Sequence, residues 1–305
     1  MDTSQNFENI RMHVTEQNPK KFPKLFEIKL PKELSDLYGG NIEFLYDPSQ
    51  ADIPLIFASF IISKEGIFAL KDNPGPSSIS QGSISDAFML ALLLATTDAV
   101  MVGANTLNSE PDHKWHFEHI FETFPHMKGF SDVRRSLERF RANLGKAHIY
   151  PPTFFMTNSG NVNPNALVFS DPNIDTYIVT SENGAETAKK LFKGNTKIRI
   201  LSFGKEKLDE LSMLRHLKKM GINLVYHQGG RTVISGMVEK GLVPQLFLTV
   251  INKSPLGNLF PHNAQFLFST EDHMYPKTAI SISERVDAKG EAKFVNLDFS
   301  PVLSM

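Results

Sequence analysis

Residues 224–250 read LVYHQGGRTVISGMVEKGLVPQLFLTV, and the changes of pattern within them decide the fold class. Leu224 to Tyr226 is a short apolar run of strand length. Gln228-Gly229-Gly230 follows as a tight turn. Thr232 to Lys240 reads as a helix that Gly241 ends. Leu246 to Ile251 is apolar and strand-like again. Strand, helix and strand in quick succession make a parallel crossover unit.

The same alternation extends towards the N-terminus. Ile198 to Leu201 is a strand and Leu208 to Met220 a helix with Gly221 after it. Thr176 to Thr180 is a strand and Ala185 to Phe192 a helix. Phe154 to Met156 is a strand closed by the turn Thr157-Asn158-Ser159-Gly160, and Ser131 opens a charged helix that Gly145 stops. Residues 107 to 130 are irregular and rich in His and aromatics. Ala99 to Val102 is a short buried strand. It follows a helix through Met89, Leu92, Leu93 and Thr96, for which Ser83 serves as N-cap and Asp86 completes a capping-box pattern. Ile53 to Ile62 is a near-continuous apolar run, the signature of a strand covered on both faces, and Gly66 to Leu70 continues it. Residues 72–82 are turn-rich. At the C-terminal end, Ala279 to Ser283 and Phe294 to Phe299 alternate around Asp287-Ala288-Lys289-Gly290, a hairpin signature. The fold class expected is α/β, a mostly parallel sheet flanked by helices with a C-terminal antiparallel hairpin and Ile53 to Ile62 central. Residues 1–50 are expected to be a loose N-terminal arm with one short helix at Glu33 to Tyr38, and 51–305 one α/β domain.

Composition narrows the function. The chain has 305 residues, with 32 Lys and Arg against 33 Asp and Glu, a net charge of −1. That balance leaves no basic footprint for nucleic acid or an anionic membrane. Cys is absent, which excludes disulfides, thiolate nucleophiles and Cys-ligated metal. The start lacks an apolar signal core, and the longest apolar stretch, Ala87 to Ala95, is far short of the ~20 residues of a membrane span. A soluble, cytoplasmic protein is expected.

Two glycine turns carry the sharpest chemical signal: Gly103-Ala104-Asn105-Thr106 and Gln228-Gly229-Gly230-Arg231-Thr232. Each follows a buried strand. Adjacent glycines admit a ligand close to the backbone, and the next helix offers free N–H groups to a phosphate. Arg231 and Thr232 add a charge and a hydroxyl. Both turns belong at the carboxyl ends of strands, where open α/β sheets bind ligands. The competing reading is that the double glycine is only a turn. Neither turn fits the Gly-x-Gly-x-x-Gly fingerprint or the Walker loop. His113, His116 and His119 are spaced for one helical face, but Pro111 and Pro125 frame the segment as a loop. Its aromatics, Trp115, Phe117, Phe121 and Phe124, suggest packing over a cleft or at a subunit contact rather than a metal site.

Read in order, SFIISKEGIFAL (59–70), SISQGS (78–83), ATTDAVMVGANTL (95–107), FFMTNSGNVNP (154–164), IVT (178–180), the 224–250 stretch and SPLGN (254–258) resemble the C-terminal reductase domain of RibD, the bacterial riboflavin-biosynthesis deaminase–reductase. The resemblance spans about residues 50 to 300. It implies a dihydrofolate-reductase-like fold, NADPH as cofactor, a pyrimidine- or pterin-like substrate and a homodimer. On it, Gly103, Ala104 and Thr106 are the turn at the cofactor phosphates. Thr157, Asn158 and Ser159 lie near the adenosine ribose and its 2′-phosphate. Gln228, Gly229, Gly230, Arg231 and Thr232 form the pyrophosphate turn. Glu110 holds the position of the acidic residue after the Gly-x-x-Thr turn, and Glu65 that of the Asp before Gly66.

Departures concentrate on the substrate side. Family Asp-Gly is Glu65-Gly66, Asp-Asp-Pro is Ser109-Glu110-Pro111, Glu-Gly-Gly is Gln228-Gly229-Gly230, and the phosphate-gripping Arg residues have no clear match. A relative that binds a dinucleotide without turnover is therefore the alternative function. Basic residues of the adenosine side are not evident in the sequence. If the second turn holds the pyrophosphate, Val at Gly229 or Gly230 is expected to abolish binding and leave unfolding nearly unchanged.

Overall fold

A strand covered on both faces lies at the heart of the computed structural model. The structure describes residues 24–46, 51–70, 77–80, 82–124, 127, 130–146, 148–243, 245–251, 264–267, 280–286 and 292–298. In chain order the elements are β1 (Lys24–Ile28), α1 (Lys32–Tyr38), β2 (Ile42–Tyr46), β3 (Leu55–Ser63), β4 (Ile67–Leu70), α2 (Ser77–Ser80), α3 (Ile84–Thr96), β5 (Ala99–Gly103), α4 (Ala104–Ser109), α5 (Phe117–Thr123), α6 (Ser131–Asn143), β6 (Thr153–Met156), β7 (Thr176–Thr180), α7 (Glu182–Leu191), β8 (Arg199–Ser202), α8 (Glu210–Lys219), β9 (Leu224–His227), α9 (Arg231–Glu239), β10 (Gln245–Ile251), β11 (Ala264–Phe266), β12 (Ile280–Val286) and β13 (Ala292–Asp298), with a 3₁₀ turn at Leu167–Ser170.

The main sheet has the order β12-β13-β10-β3-β9-β5-β6-β7-β8. From β10 to β8 every neighbouring pair is parallel. β13 runs antiparallel to both β10 and β12. The expected mostly parallel sheet with its antiparallel end is thus present, and the turn at 287–290 and the segment 254–258 lie outside the described residues. β3 begins at Leu55 rather than Ile53, because Pro54 has no N–H to give a ladder; the Leu55 amide is the first to pair, with the Asn223 carbonyl at 2.9 Å.

Alternation along each strand sends side chains to two apolar layers. Phe57, Tyr226, Phe247 and Phe294 join α3 on one face. Ile56, Ala58, Val225 and Leu248 join Met213 and Leu217 of α8 and Ile234 and Met237 of α9 on the other. The Phe57 and Tyr226 rings stack at 4.9 Å between centroids. α3 is apolar all round because the sheet covers one side and α5 and α6 the other, as a buried helix requires. Its N-terminus is capped by Ser83, whose Oγ accepts the Asp86 amide at 3.3 Å. Its C-terminus is capped from afar: the buried Arg141 guanidinium donates to the carbonyls of Leu94, Ala95 and Thr97.

Two segments differ from the sequence reading. Residues 24–46 are a hairpin with a helix in its loop, docked on the core through Leu34, Tyr38, Ile42 and Phe44; residues 1–23 lie outside the described part. Polar anchors hold the unit in place. Gln245 accepts the Leu45 amide at 3.1 Å and donates to the Glu43 carbonyl at 2.8 Å. Arg285 donates to the carbonyls of Gly39 and Asn41. The second difference is that the 107–130 stretch contains helix. The His116 Nδ1 accepts the His119 amide at 3.2 Å and so starts α5, a local cap that the flanking prolines mask. Among the described residues, no helix is long and apolar enough to cross a membrane.

Candidate functional site

The two glycine turns meet. β5 and β9 are neighbours, so their carboxyl ends lie side by side. The Gln228 amide bonds the Met101 carbonyl at 2.8 Å, and the Gly230 amide bonds Thr106 Oγ1 at 2.9 Å. At this junction α4 starts from Gly103 and α9 from Gly230, and neither start has a side-chain cap. Elsewhere α3, α5, α7 and α8 are capped by Ser83, His116, Ser181 and Asp209, while α1 and α6 also start without a side-chain cap. Two uncapped helix N-termini, aimed to one place, present free amides and the positive ends of two dipoles. Ala104 and Thr106 are half-buried and Gly230 is exposed at this junction. Arg231 and Thr232 contribute the first turn of α9; the positions of their side chains lie outside the described structure.

The two glycines do different things. A Cβ on Gly229 would stand 2.4 Å from the Gly103 amide nitrogen, 2.8 Å from the His227 ring and 3.2 Å from the Val102 carbonyl carbon. A Cβ on Gly230 would meet only Thr106 Oγ1, at 3.3 Å. Gly229 is therefore glycine because two backbones touch there. The expectation that Val at either position spares unfolding is corrected: it fails for Gly229. His227 is wholly buried. Its Nδ1 accepts the Gly229 amide at 3.0 Å, and burial pushes the imidazole down to about 4, so it stays neutral and braces the turn.

The Thr157-Asn158-Ser159 turn sits at the end of β6, next to β5. Asn158 is held as a structural hub. Its carbonyl accepts the Ser181 and Thr180 hydroxyls, and its Oδ1 accepts the Leu208 amide at 2.8 Å. Thr157 and Ser159 present their hydroxyls 3.3 Å apart.

Three carboxyls are candidates for acid chemistry. Glu110 ends α4, four residues past Thr106, and burial alone raises its pKa. Glu65 lies in the turn between β3 and β4 with one carboxylate oxygen buried and unpartnered among the described residues. The third, Asp86, is legible in the sequence only as a capping-box residue. In the structure its carboxyl is buried against the sheet, where the Thr249 hydroxyl bonds it and burial pushes it up to about 7. Beside it, the Tyr226 hydroxyl is shared with Ser59 and bonded by the Gln228 side chain. A chain of polar groups thus leads from Asp86 to the residue before the double glycine. Only a signal that joined β3, β9, β10 and α3 in space could have found it.

The imidazoles of His113, His116 and His119 cluster, with ring centroids 4.9 Å (113 to 119) and 6.0 Å (116 to 119) apart. Burial first, then repulsion from neighbouring imidazoles at His113 and His116 and from the Lys114 ammonium at His119, pushes them down to about 3, 3 and 4. Trp115, Phe117 and Phe121 are buried in the chain's own core, where the sequence suggested a cleft cover or a subunit contact. Among the described residues, no group of three or more His, Asp or Glu is arranged to hold a metal ion.

The RibD C-terminal domain family matches residues 54–254. Solved structures of similar fold include a pyrimidine reductase-like protein from Corynebacterium diphtheriae, at 18% identity and TM-score 0.59, over 87% of this chain and 97% of that one. RibD from Acinetobacter baumannii follows at 14% identity and TM-score 0.52, over 81% of this chain and 58% of that one. A riboflavin biosynthesis reductase from Saccharomyces cerevisiae is similar at 11% identity and TM-score 0.50, over 81% and 90%. The chain thus spans 58% of the length of the Acinetobacter RibD chain. No curated protein matches the sequence.

Proposed function

The chain belongs to the RibD C-terminal domain family, and on that premise we propose that it is an NADPH-dependent reductase of a small heterocyclic substrate, pyrimidine- or pterin-like. The observation that carries the proposal is the junction of two uncapped helix starts at Gly103 and Gly230. Its free amides fit a pyrophosphate, a dianion that would otherwise need basic side chains. In this reading Gly103, Ala104, Thr106 and Gln228 to Thr232 hold the pyrophosphate, and Thr157, Asn158 and Ser159 face the adenosine ribose. The dinucleotide, when bound, supplies a hydride.

The chain's own part is to orient the acceptor carbon and deliver a proton to the heteroatom beside it. Glu110 is the leading donor, because it ends the helix whose first turn holds the phosphates and burial raises its pKa. Glu65 is the second candidate, and Asp86 the third, since burial holds part of it protonated near neutral pH. Residues 51–305 form the reductase-like body in this reading, and a cytoplasmic homodimer is its setting.

The reading is tested by titrating the protein with NADPH in a calorimeter and following NADPH oxidation with pyrimidine and pterin substrates. Saturable binding and turnover are expected. Binding without turnover on any substrate would favour the relative that only binds, which the changed residues at Glu65 and Glu110 and the missing phosphate-gripping Arg residues motivate. Absence of binding would refute the reading.

A further inference from the structure

The pyrophosphate junction is built from backbone and is indifferent to what the adenosine ribose carries. Choice between NADPH and NADH must come from charge near the Thr157-Asn158-Ser159 turn, which itself has none. The fold brings that charge from 50 residues away in sequence. The connection from β8 to α8 is strapped across the start of α7 and onto the turn. Its Gly204 and Lys205 carbonyls accept the Glu182 and Asn183 amides at 2.8 and 3.1 Å, and the Leu208 amide bonds Asn158 Oδ1 at 2.8 Å. Gly204 allows the tight fold: it has φ +76°, and a Cβ there would sit 2.3 Å from the Lys207 carbonyl oxygen.

This strap carries Lys205 and Lys207, both exposed. Among the described residues neither is in an ion pair. Lys207 directly precedes the residue whose amide binds Asn158, and its ammonium rides on a flexible four-carbon stem. Glu206 and Asp209 are exposed in the same connection, so it is neutral overall, but the Asp209 carboxylate is turned to the Ser212 amide and hydroxyl at the start of α8. Ser159 Oγ accepts the Asn161 amide at 3.2 Å and shares one proton with the Thr157 hydroxyl at 3.3 Å, which leaves one proton of the pair to donate outward. The start of α7 cannot serve as the anion site, because the carbonyls of the strap and the Ser181 hydroxyl already take its first amides.

We propose that Lys207 and Lys205, with the Thr157 and Ser159 hydroxyls, form a subsite for the 2′-phosphate of the dinucleotide and so set the preference for NADPH over NADH. The inference rests on the dinucleotide reading above. A ribose 2′-phosphate carries about −1.5 to −2 charges near pH 7, whereas the 2′-hydroxyl of NADH carries none. The lysines therefore act on one cofactor and not on the other.

The test measures affinity for NADPH, NADH, adenosine 2′,5′-bisphosphate and 5′-AMP at low salt, by calorimetry on the full chain. The wild type is expected to favour NADPH over NADH and the bisphosphate over 5′-AMP. Lys207→Ala should lower both ratios about tenfold, the value of one charge-assisted hydrogen bond. The double variant Lys205→Ala/Lys207→Ala should lower them further, and Lys207→Arg should keep most of the preference. Both side chains are exposed, so the melting temperature is expected to stay at the wild-type value. Wild-type ratios in the double variant would overturn the subsite while leaving dinucleotide binding in place. A wild type that binds neither dinucleotide would overturn both readings.

Discussion

Gly229→Ala and Gly230→Ala should separate a structural glycine from a ligand-facing one. The added methyl at 229 would lie 2.4 Å from the Gly103 nitrogen and 3.2 Å from the Val102 carbonyl carbon, against an ordinary contact of about 3.5–4.0 Å. Those atoms are backbone of the adjacent strand and cannot rotate away. The third neighbour, the His227 ring, is fully buried and tied to the same turn. Relief requires the end of β9 to move by ~1 Å from β5, the scale of the overlap, and this stretches the 2.8 Å bond from Gln228 to Met101. Overpacking of this kind costs about 1–3 kcal/mol, which lowers the melting temperature by roughly 2–12 °C at ~2–4 °C per kcal/mol. At 230 the only contact is the Thr106 hydroxyl at 3.3 Å, which a shift of a few tenths of an ångström relieves without breaking its bond to the Gly230 amide, so Gly230→Ala should melt within a degree or two of the wild type. Its methyl nevertheless stands where a pyrophosphate must approach, so NADPH affinity should fall at least ~10-fold, a loss of one good hydrogen bond or more. Differential scanning calorimetry and NADPH titration on both variants decide the matter. A wild-type melting curve for Gly229→Ala would refute the close-approach argument, and unchanged NADPH affinity in Gly230→Ala would refute the cradle.

The His113–His116–His119 cluster should make the fold acid-sensitive: native pKa values of about 3, 3 and 4 against 6.5 unfolded mean that the unfolded chain takes up protons first. Stability is then full above pH 6.5 and falls as pH drops towards 4, by up to ~4 kcal/mol per pH unit for three groups; a urea midpoint that is flat between about pH 7 and 5 would disprove it. Asp86 runs the other way, since a native pKa of about 7 against 3.8 costs stability progressively as pH rises from about 4 to 7, above which the penalty is constant. Asp86→Asn should therefore gain up to ~3 kcal/mol more near pH 8 than near pH 5, read from urea midpoints at the two pH values, and an equal gain at both would show that the carboxyl is not held protonated. For proton delivery, Glu110→Gln should lower turnover ~10²–10⁴-fold with NADPH affinity kept, and Glu65→Gln much less; the reverse order in a stopped-flow assay would move the role to Glu65.

What the sequence discloses and what it withholds divide along contact order. The parallel sheet is legible because β3, β5, β9 and β10 are each an apolar run bounded by turn residues, and each glycine junction follows its strand directly. A strand-end glycine turn is local, so Gly103 and Gly229-Gly230 announce themselves. The N-terminal unit hid because Leu34, Tyr38, Ile42 and Phe44 are few among polar neighbours, and their burial depends on Gln245 and Arg285, 200 or more residues away in sequence. Asp86 hid behind a correct reading: it does follow its cap by three residues, yet the same first turn points its carboxyl at Thr249, 163 positions on. Lys207 is anonymous in sequence, one exposed lysine among many, until the Leu208 amide ties its loop to Asn158. A ligand site of this fold is assembled at strand ends. The backbone half of such a site travels with the strand and is read with it. In the subsite proposed above, the charged half comes from the connection that the sheet order places alongside, here the one after β8, two strands beyond β6. That is why the sequence leaves NADPH and NADH undistinguished, and why charge change at Lys207, rather than at the glycines, is the perturbation that should move cofactor preference without moving the fold.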